Sequence, residues 1–252
     1  MWYQITDVVT GSSPQPVPRY REVADALEQQ IGTGEMAPGS RLPSERALAE
    51  RYSLSRMTAR QAVELLVRRG VVTRRPGSGT YVAAPRVEHT LQRLLGFTEQ
   101  MQAQGVEPSG RLLTVDIAPV DDAAVAGALE LDGTDRAWAV RRVRYGDGEP
   151  LLVETFHVPE RVCPDLGEHD LALGSLYAIL RTSYGVDPTS AHETIEPAAL
   201  DEDEALYLLA RPGAPAILVT RVTRDAAGRP IEHARDVYRG DRARFVIDLA
   251  AI

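Results

Sequence analysis

The sequence predicts an α+β protein of two domains, a small mainly helical one followed by a larger one built on a mostly antiparallel sheet. Apolar residues repeat at helical spacing in the first part, Gly-containing turns separate paired β-prone runs in the second, and the charge changes sign between them. The predicted boundaries are a disordered leader (1–16), a first domain (17–84), a linker (85–92) and a second domain (93–252).

Three helices are predicted in the first domain. Apolar residues recur at helical spacing over residues 20–31. Ser44 and Ser55 each precede another such run and are suited to cap a second and a third helix, the third ending at Gly70. Two short capped helices joined by a tight turn are typical of a helix-turn-helix.

The segment that follows predicts a β-hairpin. Two β-prone runs, 71–75 and 80–82, flank a turn that contains Gly77 and Gly79. A hairpin in this position after a helix-turn-helix is a wing. Because glycine has no side chain, the wing backbone can approach a DNA groove closely.

The charge is distributed unevenly along the chain. A net charge of −8 argues against nucleic acid as a partner, but residues 17–84 carry 11 arginines and 7 acidic residues, a net of +4, whereas residues 85–252 carry a net of −11. Every cation is arginine, since the chain has no lysine. A local basic surface of guanidinium groups favours contact with phosphate or guanine.

The start of the third helix carries the predicted DNA-reading side chains. Arg56 and Arg60 are four residues apart and so share one helix face. In a helix-turn-helix this part of the helix enters the major groove, where arginine can bind guanine. Ser55 and Thr58 are placed to reach phosphate at the positive end of the helix.

These residues resemble the GntR family of regulators. The match consists of Leu42-Pro43-Ser44-Glu45-Arg46, Leu48-Ala49, Ser55-Arg56, Thr58, Arg60, Ala62, Leu65, Gly70 and Gly77-Ser78-Gly79-Thr80-Tyr81-Val82. The resemblance implies a DNA-binding transcriptional regulator in which Arg46, Arg56 and Arg60 contact double-stranded operator DNA and the wing glycines approach the minor groove. It also implies a homodimer on a palindromic operator, with repression as the usual outcome.

The second domain alternates β-prone and helical segments. Strands are predicted over 111–118, 137–145, 151–158, 191–197, 216–224 and 231–238, with helices over 121–131, 175–183 and 201–209. Residues 245–249 are predicted to close the sheet. Thr98 and Ser175 are predicted to cap helices, and both helix starts are candidate anion sites.

Polar residues inside the predicted strands point to a ligand. Arg142 and Arg144 share one strand face, because side chains alternate along a strand. Glu154 lies across the hairpin from them, and Glu232 and Tyr238 lie on the last hairpin. The two arginines are suited to an anion and the glutamates to hydroxyl or amide hydrogens, which together predict a polar ligand with a negative group.

This domain resembles the UTRA effector domain of the HutC subfamily. The match consists of Arg142-Val143-Arg144, Gly148-Glu149-Pro150, Glu154, Ser175-Leu176-Tyr177, Glu193-Thr194-Ile195 and Tyr238-Arg239-Gly240-Asp241-Arg242. The resemblance implies a chorismate-lyase-like fold and an effector pocket lined by Phe97, Thr98, Arg142, Arg144, Glu154, Ser175, Tyr177, Glu232 and Tyr238. Residues 97–105 look closest to regulators of amino-sugar use, which implies N-acetylglucosamine 6-phosphate or glucosamine 6-phosphate as effector.

Two alternatives stay open. The effector can be a carboxylate or an amino-acid-derived ligand, or the second domain can be a lyase-like enzyme fused to a DNA-binding domain. Against the enzyme, no catalytic spacing, metal motif or cofactor loop is found in the sequence. We therefore expect no catalytic residues, no cofactor, no metal and no membrane partner, and a cytoplasmic location.

Overall fold

The computed structural model describes residues 17–75, 77–83 and 86–249, and the chain divides after Pro85 into two compact units. The predicted leader, residues 1–16, lies outside the described residues. Each unit has an apolar core of its own, as independent domains do. None of the described helices is long and apolar enough to span a bilayer.

The described part of the first unit has the predicted order of helices and hairpin: α1 Arg19–Gly32, α2 Glu45–Arg51, α3 Arg56–Arg68, β1 Val72–Arg75 and β2 Gly79–Val82. The predicted caps of α2 and α3 are confirmed, because the Ser44 and Ser55 hydroxyls each accept a hydrogen bond from a backbone N–H three residues on. Such a cap stabilises a helix by about 1 kcal/mol.

The core of the first unit brings the three helices together. Leu27 of α1, Leu48 of α2 and Leu66 of α3 are fully buried in one cluster. Val72 and Val82, which pair across the β1–β2 hairpin, are also buried. Burial of the hairpin base holds the wing beside α3.

The second unit is built on a six-stranded sheet in the order β4-β5-β6-β9-β8-β7, with all neighbours antiparallel. The strands are β4 Pro108–Pro119, β5 Arg136–Gly146, β6 Glu149–Pro159, β7 Ser190–Ala199, β8 Pro215–Arg224 and β9 Pro230–Arg239. The helices around the sheet are α4 Phe97–Ala103, α5 Ala123–Ala128, α6 Leu176–Tyr184 and α7 Glu202–Tyr207, with a 3-10 turn at Leu166–Glu168.

The strand register gives the sheet two different faces. Arg142, Glu154 and Asp236 lie side by side on β5, β6 and β9, and we call the face that carries them the polar face. Tyr177 of α6 and Met101 of α4 belong to two apolar clusters on this face. The helix α7 packs on the opposite face, in a separate apolar cluster. The charged row is therefore enclosed between apolar clusters rather than exposed to water.

The prediction for the last strand of the second unit is wrong. Residues 245–249 do not close the main sheet: β10 (Ala243–Val246) pairs in parallel with β3 (Val87–Thr90) in a separate two-stranded sheet. The same pairing places half of the predicted linker 85–92, residues 87–90, in a strand. The physical reason is burial, because Val87 and Ala243 pack into the cluster beneath α4.

The predicted cap of the next helix is also wrong. Gly96 precedes α4 as its N-cap residue, and Thr98 lies inside the first turn. The Thr98 hydroxyl accepts a hydrogen bond from the Arg144 guanidinium at 2.8 Å, so its partner is a distant strand rather than its own helix.

Candidate DNA-binding and effector-binding sites

The start of α3 presents the predicted DNA-contacting side chains on an exposed surface. Ser55, Arg56 and Arg60 are exposed and Thr58 is half-buried. Ser55 Oγ accepts the Thr58 N–H at 3.1 Å and lies 2.9 Å from Thr58 Oγ1. Two guanidinium groups one turn apart at the positive end of a helix form a surface suited to phosphate and to base edges.

Two of the predicted arginines are held in exposed ion pairs. Arg60 Nε lies 3.0 Å from Glu64 Oε1, and Arg46 Nε lies 3.5 Å from Glu50 Oε1. Exposed pairs of this kind contribute about 0–1 kcal/mol. They pre-orient the guanidinium groups and can be exchanged for phosphate contacts at little cost.

A groove of about 440 Å³ joins α2, α3 and the wing. Arg46, Arg56 and Gly79 line it, together with Arg41, which the sequence reasoning missed. Arg41 directly precedes the Leu42–Glu45 motif and is a cation like the predicted DNA-contacting arginines. Its position next to the motif could therefore have indicated it. The structure thus brings three predicted residues and one further arginine to one groove.

The two wing glycines are required for different reasons. Gly77 has a φ of +73° with open space around it, so the turn conformation alone favours glycine. Gly79 has a φ of +129°, and a Cβ there would lie 2.8 Å from Arg41 Nε. Gly79 therefore lets the Arg41 side chain lie against the wing.

In the second unit, Arg142 is the centre of a buried hydrogen-bond network. Its Nε donates to Glu154 Oε2 at 2.5 Å, and the two side chains are 2% and 6% exposed. Its Nη1 donates to the carbonyl oxygens of Leu171 at 2.6 Å and Gly174 at 3.1 Å. Arg142 therefore ties β5 to β6 and to the segment that leads into α6.

Arg144 is also buried, but fewer polar groups compensate its charge than compensate that of Arg142. Its Nη2 donates to Thr98 Oγ1 and its Nη1 to the Ala172 carbonyl at 3.2 Å, and its guanidinium stacks on Phe97 at 4.6 Å. Within the described residues it has no carboxylate at ion-pair distance, and its Nε has no hydrogen-bond partner. Burial, and then repulsion from Arg142, lower the Arg144 pKa to about 10. The group is a cation suited to a ligand anion.

The start of α6 lies next to these arginines. Ser175 caps α6 as predicted, since its Oγ accepts the Ala178 N–H at 3.2 Å. The same hydroxyl donates to Glu99 Oε1 at 2.8 Å. Glu99 Oε2 is buried without a partner in the described chain, and a Cβ on Gly96 would lie 2.5 Å from it. The Glu99 carboxylate thus occupies space between the starts of α4 and α6.

A second hydrogen-bond network surrounds Tyr177. Its hydroxyl lies 2.9 Å from Thr223 Oγ1 and donates to Glu232 Oε2 at 3.2 Å. Burial, and then the charge of Glu232, raise the Tyr177 pKa well above its usual range. Arg221 Nε donates to the same carboxylate oxygen at 3.4 Å. Tyr177 is therefore a neutral donor and acceptor, not a proton source.

Sequence reasoning missed Arg221 and its partner Asp236. Arg221 is buried, and its Nη2 lies 3.6 Å from Asp236 Oδ2. Burial raises the pKa of Asp236 well above the usual range although Arg221 opposes the shift. Arg221 could have been found by the reasoning used for Arg142, because it too interrupts a β-prone run, Leu218–Thr223.

Eight of the nine predicted effector residues line a single cavity of about 10 Å³: Phe97, Thr98, Arg142, Arg144, Glu154, Ser175, Tyr177 and Glu232. This volume is at the lower limit for one water molecule. The ninth, Tyr238, lines a neighbouring cavity of about 330 Å³ instead. Arg221 lines both cavities and so forms the wall between them.

Family models match both units. The model described as "Bacterial regulatory proteins, gntR family" matches residues 19–82, and the UTRA domain model matches residues 103–244. This chain belongs to the GntR family and carries a UTRA domain. It is accordingly an effector-binding transcriptional regulator and not an enzyme, as its sequence predicted.

Full-length relatives agree. The chain is 36% identical over 232 residues to the HTH-type transcriptional repressor NagR of Bacillus subtilis, covering 92% of this chain and 94% of that one. It is 30% identical to the Mannosyl-D-glycerate transport/metabolism system repressor MngR of Escherichia coli, covering 91% and 95%. The crystal structure of PhnF from Mycobacterium smegmatis aligns with a TM-score of 0.66 at 33% identity, covering 91% of this chain and 100% of PhnF.

Removal of the Glu154 carboxylate is expected to destabilise the second unit. In Glu154→Ala the Arg142 guanidinium stays buried without its counter-ion, and breaking a buried pair in this way costs about 3–5 kcal/mol. The matched control is Glu149→Ala, which removes the 53%-exposed partner of Arg242 and should cost about 1 kcal/mol or less. Denaturant unfolding of both variants measures the difference; equal losses would contradict the assignment of Glu154.

Proposed function

We propose that this regulator represses its target by binding operator DNA and that a phosphorylated amino sugar, bound on the polar face of the second unit, releases it. The main support for this proposal is that two buried cations, Arg142 and Arg144, lie beside the N-terminus of α6. Among the described residues Arg144 has no ion-pair partner. A guanidinium fork next to a helix N-terminus is suited to a phosphate group.

The remaining groups of the site suit the sugar part of the effector. Glu154 and Glu232 are buried carboxylates with acceptor capacity for hydroxyl or amide hydrogens, and Phe97 adds an aromatic surface. Relatives support a carbohydrate with an ionised group, because MngR is named for a mannosyl-D-glycerate system, and glycerate is a carboxylate. N-acetylglucosamine 6-phosphate and glucosamine 6-phosphate are the first candidates.

A second class of effector has support of its own. The chain is 28% identical to the "Probable fructoselysine utilization operon transcriptional repressor" of Escherichia coli, over 91% of its length. Fructoselysine joins a sugar to an amino acid, so an amino-acid-derived ligand with a carboxylate is the alternative. Its carboxylate would take the place of the phosphate beside Arg144.

The closed cavity has a consequence for binding. A space of about 10 Å³ cannot admit a phosphate group, and the Glu99 carboxylate occupies the gap between the starts of α4 and α6. We infer that the effector's anion displaces Glu99 from Ser175, so that the first turn of α4 moves. In this proposal the Glu99 carboxylate occupies the hydrogen-bonding position at Ser175 until an anion replaces it.

On the DNA side, the proposal assigns base and phosphate contacts to Arg46, Ser55, Arg56, Thr58 and Arg60, with Gly77 and Gly79 placing the wing. Two copies of the chain would bind the halves of a palindromic operator. Because half-site spacing is strict, a movement transmitted from α4 through the chain around residues 85–92 would lower operator affinity.

A ligand screen by thermal unfolding tests the effector. A ligand at 100 times its Kd stabilises the folded state by about 2.7 kcal/mol, so the true effector should raise Tm selectively. The screen compares the two sugar phosphates with their unphosphorylated sugars, fructoselysine, simple carboxylates and amino acids. A Tm increase with none of the phosphorylated sugars would contradict the sugar-phosphate assignment.

Arg60→Ala should reduce operator-specific binding by about tenfold to a hundredfold and leave the effector-induced rise in Tm unchanged. Loss of one bidentate base contact costs about 1–3 kcal/mol of discrimination. Arg68→Ala, at the other end of α3, removes the same charge and is the control. Gel-shift titration against operator and random DNA measures both variants, and full operator affinity in Arg60→Ala would overturn the placement of α3.

Glu99→Gln should bind the sugar phosphate more tightly than the wild type. The amide fills the same space but carries no charge to compete with the ligand's anion, and we expect an increase of about tenfold, the equivalent of one charge-assisted hydrogen bond. Glu107→Gln, at an exposed position of the same unit, is the control. Isothermal calorimetry measures the affinity of each variant for the sugar phosphate. Weaker binding by Glu99→Gln would contradict the proposal that the ligand displaces Glu99 from Ser175.

A further inference from the structure

The second unit contains a second cavity, to which the predicted effector site contributes only Tyr238. It measures about 330 Å³, which lies within the range of small-molecule pockets, about 300–1,000 Å³. It is lined by β3 and the segment that follows it, by α4 and by β7, β8 and β9 of the polar face. The Arg221 side chain separates it from the small cavity around Arg144.

A buried histidine on β3 lines this cavity without a hydrogen-bond partner. His89 is 3% exposed, and its ring stacks on Phe245 at 4.9 Å and meets the edge of Tyr238 at 4.5 Å. Its Nε2 is buried and unpaired within the described chain. Burial lowers the His89 pKa to about 4 although the neighbouring Gln100 side chain opposes the shift, so the ring is neutral. A buried polar atom left unpaired is costly, and a ligand atom would satisfy it.

A second unpaired group lies beside the histidine. Gln100 of α4 donates through Nε2 to the Leu95 carbonyl at 3.2 Å, which fixes the amide, while its Oε1 is buried without a partner among the described residues. The side chain lines the same cavity as His89. His89 and Gln100 together offer hydrogen bonds, and Tyr238 and Phe245 offer aromatic surface.

The charges around the cavity select against a cation. Arg93 and Arg221 line it on the positive side and Glu193 on the negative side. Glu193 already pairs with Arg221, its Oε1 lying 3.3 Å from Arg221 Nη1. The lining therefore has an excess of positive charge, which favours an uncharged polar group over an ammonium group.

We propose that this cavity is a second compartment of the effector site, in which His89 and Gln100 hydrogen-bond an uncharged polar group of the effector, such as the N-acetyl group of an amino sugar. The inference rests on the proposed function and deepens it, since it predicts a preference for N-acetylglucosamine 6-phosphate over glucosamine 6-phosphate. It also gives the effector a direct contact with β3, which begins five residues after the wing strand β2 ends.

The test is calorimetric titration of the full chain with both sugar phosphates. The wild type should bind the N-acetylated probe at least about tenfold more tightly. His89→Phe keeps an aromatic ring between Tyr238 and Phe245 but removes Nε2, and should reduce that preference while leaving affinity for glucosamine 6-phosphate nearly unchanged. His233→Phe is the matched control, because His233 lies on the opposite face of the sheet, in register with His157.

A further pair of variants guards against a merely structural effect. Ile195→Trp, at a 39%-exposed position in the cavity lining, should block the N-acetylated probe by filling space, and His89→Gln should restore part of the preference. Equal wild-type affinities for the two probes, or an unaltered preference in both His89→Phe and Ile195→Trp, would overturn this inference alone. Failure of the wild type to bind either probe would overturn the proposed function as well.

Discussion

Burial of guanidinium groups on one face of the six-stranded sheet is the constraint on which the second unit depends. Arg142, Arg144 and Arg221 lie between two apolar clusters, where an unpaired charge is costly. Glu154 and Glu232 neutralise part of this charge, and main-chain carbonyl oxygens around residue 172 accept further hydrogen bonds. The loop before α6 and the start of α4 are therefore held in place by arginines rather than by apolar packing alone.

The same constraint prepares the site for a ligand. Arg144 retains an incompletely compensated charge, and the Glu99 carboxylate is hydrogen-bonded to Ser175 instead of pairing with it. On the proposed function, an anionic effector supplies the counter-ion that Arg144 lacks among the described residues, and its entry displaces the first turn of α4. In that proposal a closed and incompletely neutralised site couples ligand binding to a local rearrangement, because the ligand would bind only the rearranged form.

The DNA-binding unit uses arginine in the opposite way. The predicted DNA-contacting arginines are exposed, and the pairs of Arg46 with Glu50 and of Arg60 with Glu64 lie in water, where they contribute little to stability. The fold of this unit depends instead on helix caps at Ser44 and Ser55 and on a leucine core. Its surface is therefore free to exchange internal ion pairs for phosphate contacts, whereas the buried arginines of the second unit cannot exchange partners without a structural change.

The sequence by itself determined the local features: helix starts at Ser44, Ser55 and Ser175, the wing turn, the strand alternation that aligns Arg142 with Arg144, and the hairpin that sets Glu154 opposite. Each depends on residues close in the chain or joined by a short turn. Eight of the nine residues predicted from the motifs line one cavity; their role as effector contacts stays a prediction.

Only the tertiary structure decided what depends on contacts between distant segments. Four contacts join residues that are far apart in the chain. They are the pairing of β3 with β10, the Thr98–Arg144 hydrogen bond, the Ser175–Glu99 hydrogen bond and the position of Arg221 between the two cavities. Periodicity carries no information on such pairings, since they are selected by the burial and the charge compensation available once the sheet has formed.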